Sequence, residues 1–410
     1  MKRPLVTAVL CVLALPLAAC ETPTTSADAG ADVTAAESAA SHGAAPASSV
    51  AVPLVTEGPS AAASTAPTTT TPPPTTPAPT TDPPPTASSE PDEPMFEWVP
   101  DHPCTVSALL VPSCGAWLGA STPSRADPTD YVAGLAEYES AAHNQPDILH
   151  FYKRDAEPFP TSEEIALAER PGQQRSMLFY NWKPSTSLTW REVADGNADA
   201  SIDSVASGIV QYPHTMFLAV WHEPENDQRI RGTPADYVAM YRHVVTRLRD
   251  LGVANVVYVM NFIGFSGWAD VVGDFYPGDD VVDWIAYDPY GSATHPDFGA
   301  VLNDTTETWP GFYAWATAKA PDKPLMLAEW GIDLDHQPHA AEILDGGVRL
   351  LQQRFPQIKA LVYWNDHAAQ PDGVVVRLDH RTALGAAYAQ AYRRFANQTY
   401  FNSTDPSLAP

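Results

Sequence analysis

Basic residues are scarce in this 410-residue chain: 23 Lys and Arg stand against 49 Asp and Glu, a formal charge of −26. No basic cluster offsets the acidic excess, which excludes nucleic acid or another anionic polymer held through counterion release and favours a neutral partner. Cysteine is nearly absent, with four in all. No His lies at ligand spacing beside them, and no glycine-rich phosphate loop follows an apolar run, so neither a metal nor an organic cofactor is expected. The apolar run from Leu5 to Leu15 is too short to span a bilayer.

That run lies between Lys2-Arg3 and Leu17-Ala18-Ala19-Cys20, the arrangement of a secretory signal peptide over residues 1–19. Its end resembles a bacterial lipobox. The resemblance implies that Cys20 becomes the mature N-terminus, carries diacylglycerol and holds the protein on the extracellular face of the cell membrane, its only membrane contact. Ordinary secretion with an incidental cysteine is the alternative. With Cys11 in the discarded signal, Cys104 and Cys114 remain, and in an exported protein such a short-range pair is expected to be a disulfide.

Residues 20–95 are mostly Ala, Ser, Thr and Pro, culminating in a Thr/Pro tract from Thr65 to Pro94. Such sequence cannot bury a core. As polyproline II the tract would reach about 90 Å, and the segment reads as a disordered stalk. From residue 96 to 400 the composition is globular and suits one large domain, with 401–410 as a C-terminal tail.

Short apolar runs recur through this domain at Ala116–Gly119, Ile148–Tyr152, Met177–Asn181, Phe217–Trp221, Val256–Met260, Trp284–Tyr287, Leu325–Glu329 and Ala360–Trp364. Runs apolar on both faces are what buried parallel strands require. Thr233-Pro234-Ala235-Asp236 is a helix start, with a Thr cap, Pro at the first helical position and an acid in the first turn; that helix should run to about Leu251. Further helical patterns cover Thr129–His143, Ser162–Arg170, His336–Arg354 and Thr382–Phe395. Eight strands alternating with helices imply an α/β fold, a (β/α)8 TIM barrel, with a doubly wound open sheet as the structural alternative.

In such a barrel the site forms where the strands end. The fourth run ends in Trp221-His222-Glu223-Pro224-Glu225, the sixth in Tyr287-Asp288-Pro289-Tyr290, the seventh in Ala328-Glu329-Trp330-Gly331 and the eighth in Tyr363-Trp364-Asn365-Asp366. Strands four and seven of eight face each other across the mouth. A glycosidic bond needs a proton for its leaving oxygen and, opposite, a nucleophile or a water activator, which two carboxylates supply. Glu223 and Glu329 are the candidates; each could instead be a solvated or ion-paired residue.

The motifs WHEPE, YPGDDVVDWIAYDPYG, PLMLAEWG and LVYWND, in this order, resemble glycoside hydrolase family 26 of the clan A barrels, β-mannanase-like, over roughly Trp117 to Asp366. The resemblance implies that Glu223 is the acid/base with His222 before it, that Glu329 is the nucleophile, that Asp288 and Tyr290 form the Asp-x-Tyr whose Tyr bonds the nucleophile, and that Trp364 is the floor of the reacting subsite. Physically, Tyr290 can donate to Glu329 and keep it ionised, His222 can hold a sugar hydroxyl or the acid, and a Trp face stacks on pyranose C–H bonds. The alternatives are a capping core residue for Trp364 and a structural histidine for His222.

The sequence departs from the family in places. Typical members continue Met-Asn-Gly after the acid/base, whereas here it is Pro224-Glu225-Asn226. A basic residue commonly follows the strand-eight Trp, where this chain has Asn365, and a His is common near the end of strand three, where Asn181-Trp182-Lys183 stands. Trp182 is expected to be a further sugar platform, and Trp221 to be substrate-binding. The expected protein is a monomeric, retaining endo-β-glycosidase acting on a neutral polysaccharide, β-mannan-type. The alternatives are a clan A hydrolase of another β-glucan, xylan or envelope glycan, and a non-catalytic carbohydrate-binding surface protein.

Overall fold

The computed structural model describes residues 98–365, 378 and 382–410. The signal peptide, Cys20, the stalk and Asp366 lie outside the described residues.

Eight parallel strands close into a barrel. They are β1 Trp117–Ser121, β2 Ile148–Arg154, β3 Met177–Lys183, β4 Met216–Val220, β5 Val256–Phe262, β6 Trp284–Tyr287, β7 Leu325–Ile332 and β8 Ile358–Trp364. Each pairs with its neighbour in sequence, β6 pairs with β7, and β8 returns to β1 with Trp117 beside Ala360 and Ser121 beside Trp364. The (β/α)8 barrel is therefore the fold of the described region, and the open-sheet alternative falls.

Strand residues alternate between the two sides of the barrel wall. Trp117, Ile148, Phe179, Phe217, Val259, Trp284, Met326 and Val362 fill the interior. Leu118, Leu149, Tyr180, Leu218, Met260, Ile285, Leu327 and Tyr363 face the surrounding helices. Tyr131–Ala142, Ser162–Ala168, Pro234–Asp250 and Ala383–Ala396 lie where helical patterns were read. Thr233 makes the reciprocal cap with Asp236. The pattern over His336–Arg354 is broken into Ala340–Ile343 and Gly347–Arg354. Gly346 takes φ 69, a turn between the two, and Asp333 draws Asp335 and His336 into a tight loop before the first. The helices Asp199–Gln211 and Pro224–Arg231 were not read from the sequence. Among the described residues, no helix is long and apolar enough to cross a membrane.

The N-terminal ends of the strands are covered by chain. A disulfide joins Cys104 and Cys114, and between them Val106 bridges Pro112. Leu110 of this loop is fully buried under the interior core; its carbonyl accepts from Trp117 Nε1, and that of Leu109 from Trp284 Nε1, both at 2.7 Å. Residues 401–410 pack against the same end, with Ala409 in the interior cluster and the Pro410 carbonyl accepting from the Thr215 amide.

Candidate active site

The opposite, C-terminal end of the barrel holds the acids. β4 stops at Val220, and the chain turns sharply through Trp221 (φ 57) and Glu223 (φ 50), both left-handed. Such a conformation costs a non-glycine residue on the order of 1–3 kcal/mol and survives only where the surroundings impose it. The Glu223 amide donates to the Asn261 carbonyl at the end of β5 (2.9 Å), and Asn226 Nδ2 donates to Glu223 Oε2 (3.1 Å). The turn thereby aims a buried carboxyl into the mouth.

Glu329 sits where the pairing of β7 with β8 slips between Leu327 and Trp330. A bulge re-aims side chains, and this one sends Glu329 into the mouth while Trp330 packs outward on Phe298, Tyr363 and Tyr392. Both oxygens of Glu329 are held: Tyr152 OH donates to Oε1 at 2.7 Å and Tyr290 OH to Oε2 at 2.8 Å. Burial first, and then the Glu329 charge, raise both phenols well above the ordinary tyrosine range, so they stay protonated donors. Asp288, fully buried, accepts from the Glu329 amide and from Asn261 Nδ2, each at 2.8 Å.

One carboxyl oxygen from each of Glu223, Asp288 and Glu329 lies within 4.8 Å of the other two. Three charges so close in a buried site cannot all persist. Burial, followed by the charges of Glu329 and Glu223, pushes Asp288 well above the carboxylate range, against the pull of Asn261 and the Glu329 amide. Among the described residues these three are also the acids close enough to ligate a metal ion.

His222 lies beside Glu223 with its ring edge-on to Tyr152, 5.7 Å between centroids. Trp364, half-buried at the end of β8, meets Tyr290 edge-on at 5.9 Å. Trp182, expected as a sugar platform, and Trp221, expected as substrate-binding, are elsewhere. Trp182 is fully buried on the helix side of β3, its Nε1 donating to the Asp155 carbonyl. Trp221 is fully buried too, bonded to Asp227 Oδ2 and packed on Trp190. Neither has an open face to offer a sugar. Tyr152, Asn261 and Asn226 were missed from the sequence, although the alternation along β2 and β5 points the first two inward.

A closed parallel barrel with paired glutamates at the ends of strands four and seven is the layout that the resemblance to the clan A glycoside hydrolases implies. Residues 221–319 match the model of glycosyl hydrolase family 26, a region that runs from the Glu223 turn past the Asp288–Tyr290 pair. Endoglucanase H of Acetivibrio thermocellus is 25% identical over 325 residues, 72% of this chain and 32% of that protein. Beta-1,3-xylanase TXYA of a Vibrio species is 27% identical over 195 residues, 46% of this chain and 38% of that protein. The chain thus spans about a third of the length of these curated relatives. An engineered protein of known structure is similar at a TM-score of 0.51 and 18% identity, covering 72% of each chain, a likeness of fold.

Proposed function

We propose that the protein is a retaining, endo-acting β-glycosidase that cleaves a neutral polysaccharide, with β-mannan-type chains the first substrate to try. Glu329 attacks the anomeric carbon while the bond to the leaving oxygen breaks and Glu223 gives that oxygen its proton. Glu223 then takes a proton from water, which attacks the same carbon and frees Glu329. The observation that supports this reading is that one carboxyl oxygen of Glu223 lies within 4.8 Å of one of Glu329. Retaining enzymes hold the two groups about 5–5.5 Å apart, whereas inverting ones leave roughly 6.5–9.5 Å for a water. The tyrosines on Glu329 favour its ionised form, as a nucleophile requires.

The names of the two relatives place β-glucan and β-1,3-xylan beside β-mannan on the test panel. The experiment is hydrolysis of that panel by the full chain, with the first-formed anomer read by NMR. Release of the β-anomer is expected, and the α-anomer would sink the nucleophile role of Glu329. Glu329→Gly should cleave only when azide is supplied, and full activity without azide would end the assignment. One chain carries every residue of the site, and we take the acting species to be a monomer, checked by light scattering. For location we propose a lipid anchor at Cys20; Cys20→Ala should move the protein from the membrane fraction to the medium, and an unchanged distribution would refute the anchor.

A further inference from the structure

Glu225 follows the acid/base residue by two positions, in the stretch where the chain departs from the family pattern. It is completely buried. Both of its carboxyl oxygens lie 3.2 Å from the amide nitrogen of Ile263, the residue directly after β5. Two positions earlier, the Glu223 amide donates to the carbonyl of Asn261, the next-to-last residue of β5. The turn from 223 to 225 is therefore fastened to one strand end twice, once by backbone and once by a side chain. Between the fastenings Glu223 holds φ 50 and ψ 52, a shape that needs external support.

The carboxyl is an expensive way to fill that space. Burial, with smaller help from the nearby Glu223, pushes Glu225 up to about 8 against the pull of the Ile263 and Gly264 amides. A leucine would occupy a similar volume without desolvating an acid. What leucine lacks is an acceptor for the Ile263 amide.

We propose that Glu225 is a positioning residue, its carboxyl strapping the Glu223 turn to the end of β5 and so fixing where the acid/base group meets the leaving oxygen. The part concerning the leaving oxygen rests on the glycosidase reading; the strap does not.

Glu225→Leu removes the acceptor and Glu225→Gln keeps one. In the full chain, Glu225→Leu should lower kcat/KM on the polysaccharide about 100-fold, as a misplaced catalytic group does, with KM little changed. On the 2,4-dinitrophenyl glycoside of the same sugar, whose leaving group needs no proton, kcat/KM should stay within about threefold, because general acid help is not called on there. Glu225→Gln should recover activity to within about tenfold of wild type, since its amide oxygen still accepts from Ile263. Equal loss on both substrates would mean a general structural role and would overturn the proposal, as would no loss on either. Independently of activity, hydrogen exchange at the Glu223 and Ile263 amides should quicken about 100-fold in Glu225→Leu while the β4 and β5 interior amides keep their protection. Unchanged exchange at both would overturn the strap. Should the leucine variant not fold, Glu225→Ala is read in its place. A wild type that cleaves nothing on the panel would fell the glycosidase reading alone, and the exchange measurement would still decide the strap.

Discussion

Both oxygens of Glu329 are bound by phenols from different strands, and the consequences are measurable one residue at a time. A hydrogen bond to a charged group contributes about 1.5–3 kcal/mol, so Tyr152→Phe and Tyr290→Phe should each lower kcat by roughly 10- to 100-fold. Steady-state kinetics of the two variants check this, and losses under about threefold in both would separate the phenols from catalysis. Tyr290 was legible as the last residue of an Asp-x-Tyr motif; Tyr152 was not, because nothing in the local sequence marks it. Its signal was positional: Ile148, His150 and Tyr152 share the inward face of β2, as Met177, Phe179 and Asn181 share that of β3. The same count excludes Trp182, which falls with Leu178 and Tyr180 on the outward face. Trp182→Ala should accordingly cost about 3–5 kcal/mol of stability, as a large core truncation does, and leave KM unchanged in whatever protein still folds. A KM increase without destabilisation would return Trp182 to the sugar.

Among the elements, the eight strands were readable because a barrel wall buries both of its faces, and unbroken apolar runs stand out against Pro and Gly. Helix ends were readable where capping chemistry is explicit, as at Thr233. The Asp199–Gln211 helix was missed because its capping residue, Ala198, offers no side-chain bond. Strand starts carry a device invisible to periodicity. Asp147, just before β2, accepts from the Leu118 amide while its own amide donates to the Leu118 carbonyl, and Asp283 before β6 does the same with Tyr258. Burial, with the Leu118 amide pulling the other way, pushes Asp147 up to about 8. The folded state thus holds a proton that the unfolded chain sheds near pH 4, so this stability contribution is complete below about 4 and is lost as pH climbs to about 8. Asp147→Asn, which does not titrate, should match wild type near pH 4 and exceed it increasingly up to about pH 8, the gap then holding level. Denaturant midpoints at pH 4, 7 and 9 test the sign, and a gap that closes as pH rises would contradict it.

At the scale of the whole molecule, the barrel is shut at one end and carries its buried acids at the other. The loop between Cys104 and Cys114 and the last residues of the chain seal the N-terminal ends of the strands. Closing a ten-residue separation is worth about 2–3 kcal/mol, so replacing both cysteines by serine should lower the melting temperature while leaving kcat and KM unchanged. A fall in activity at a temperature where the variant remains folded would show the two ends to be coupled.

The sealed end is also where the polypeptide enters. Trp98 packs edge-on against Tyr400 and its carbonyl accepts from the Thr399 hydroxyl, while the Tyr400 carbonyl accepts from the Ala116 amide just ahead of β1. The domain is therefore held by its back. Trp98 docks on the plugged base, and the mouth with Glu223 and Glu329 lies at the opposite end of the barrel.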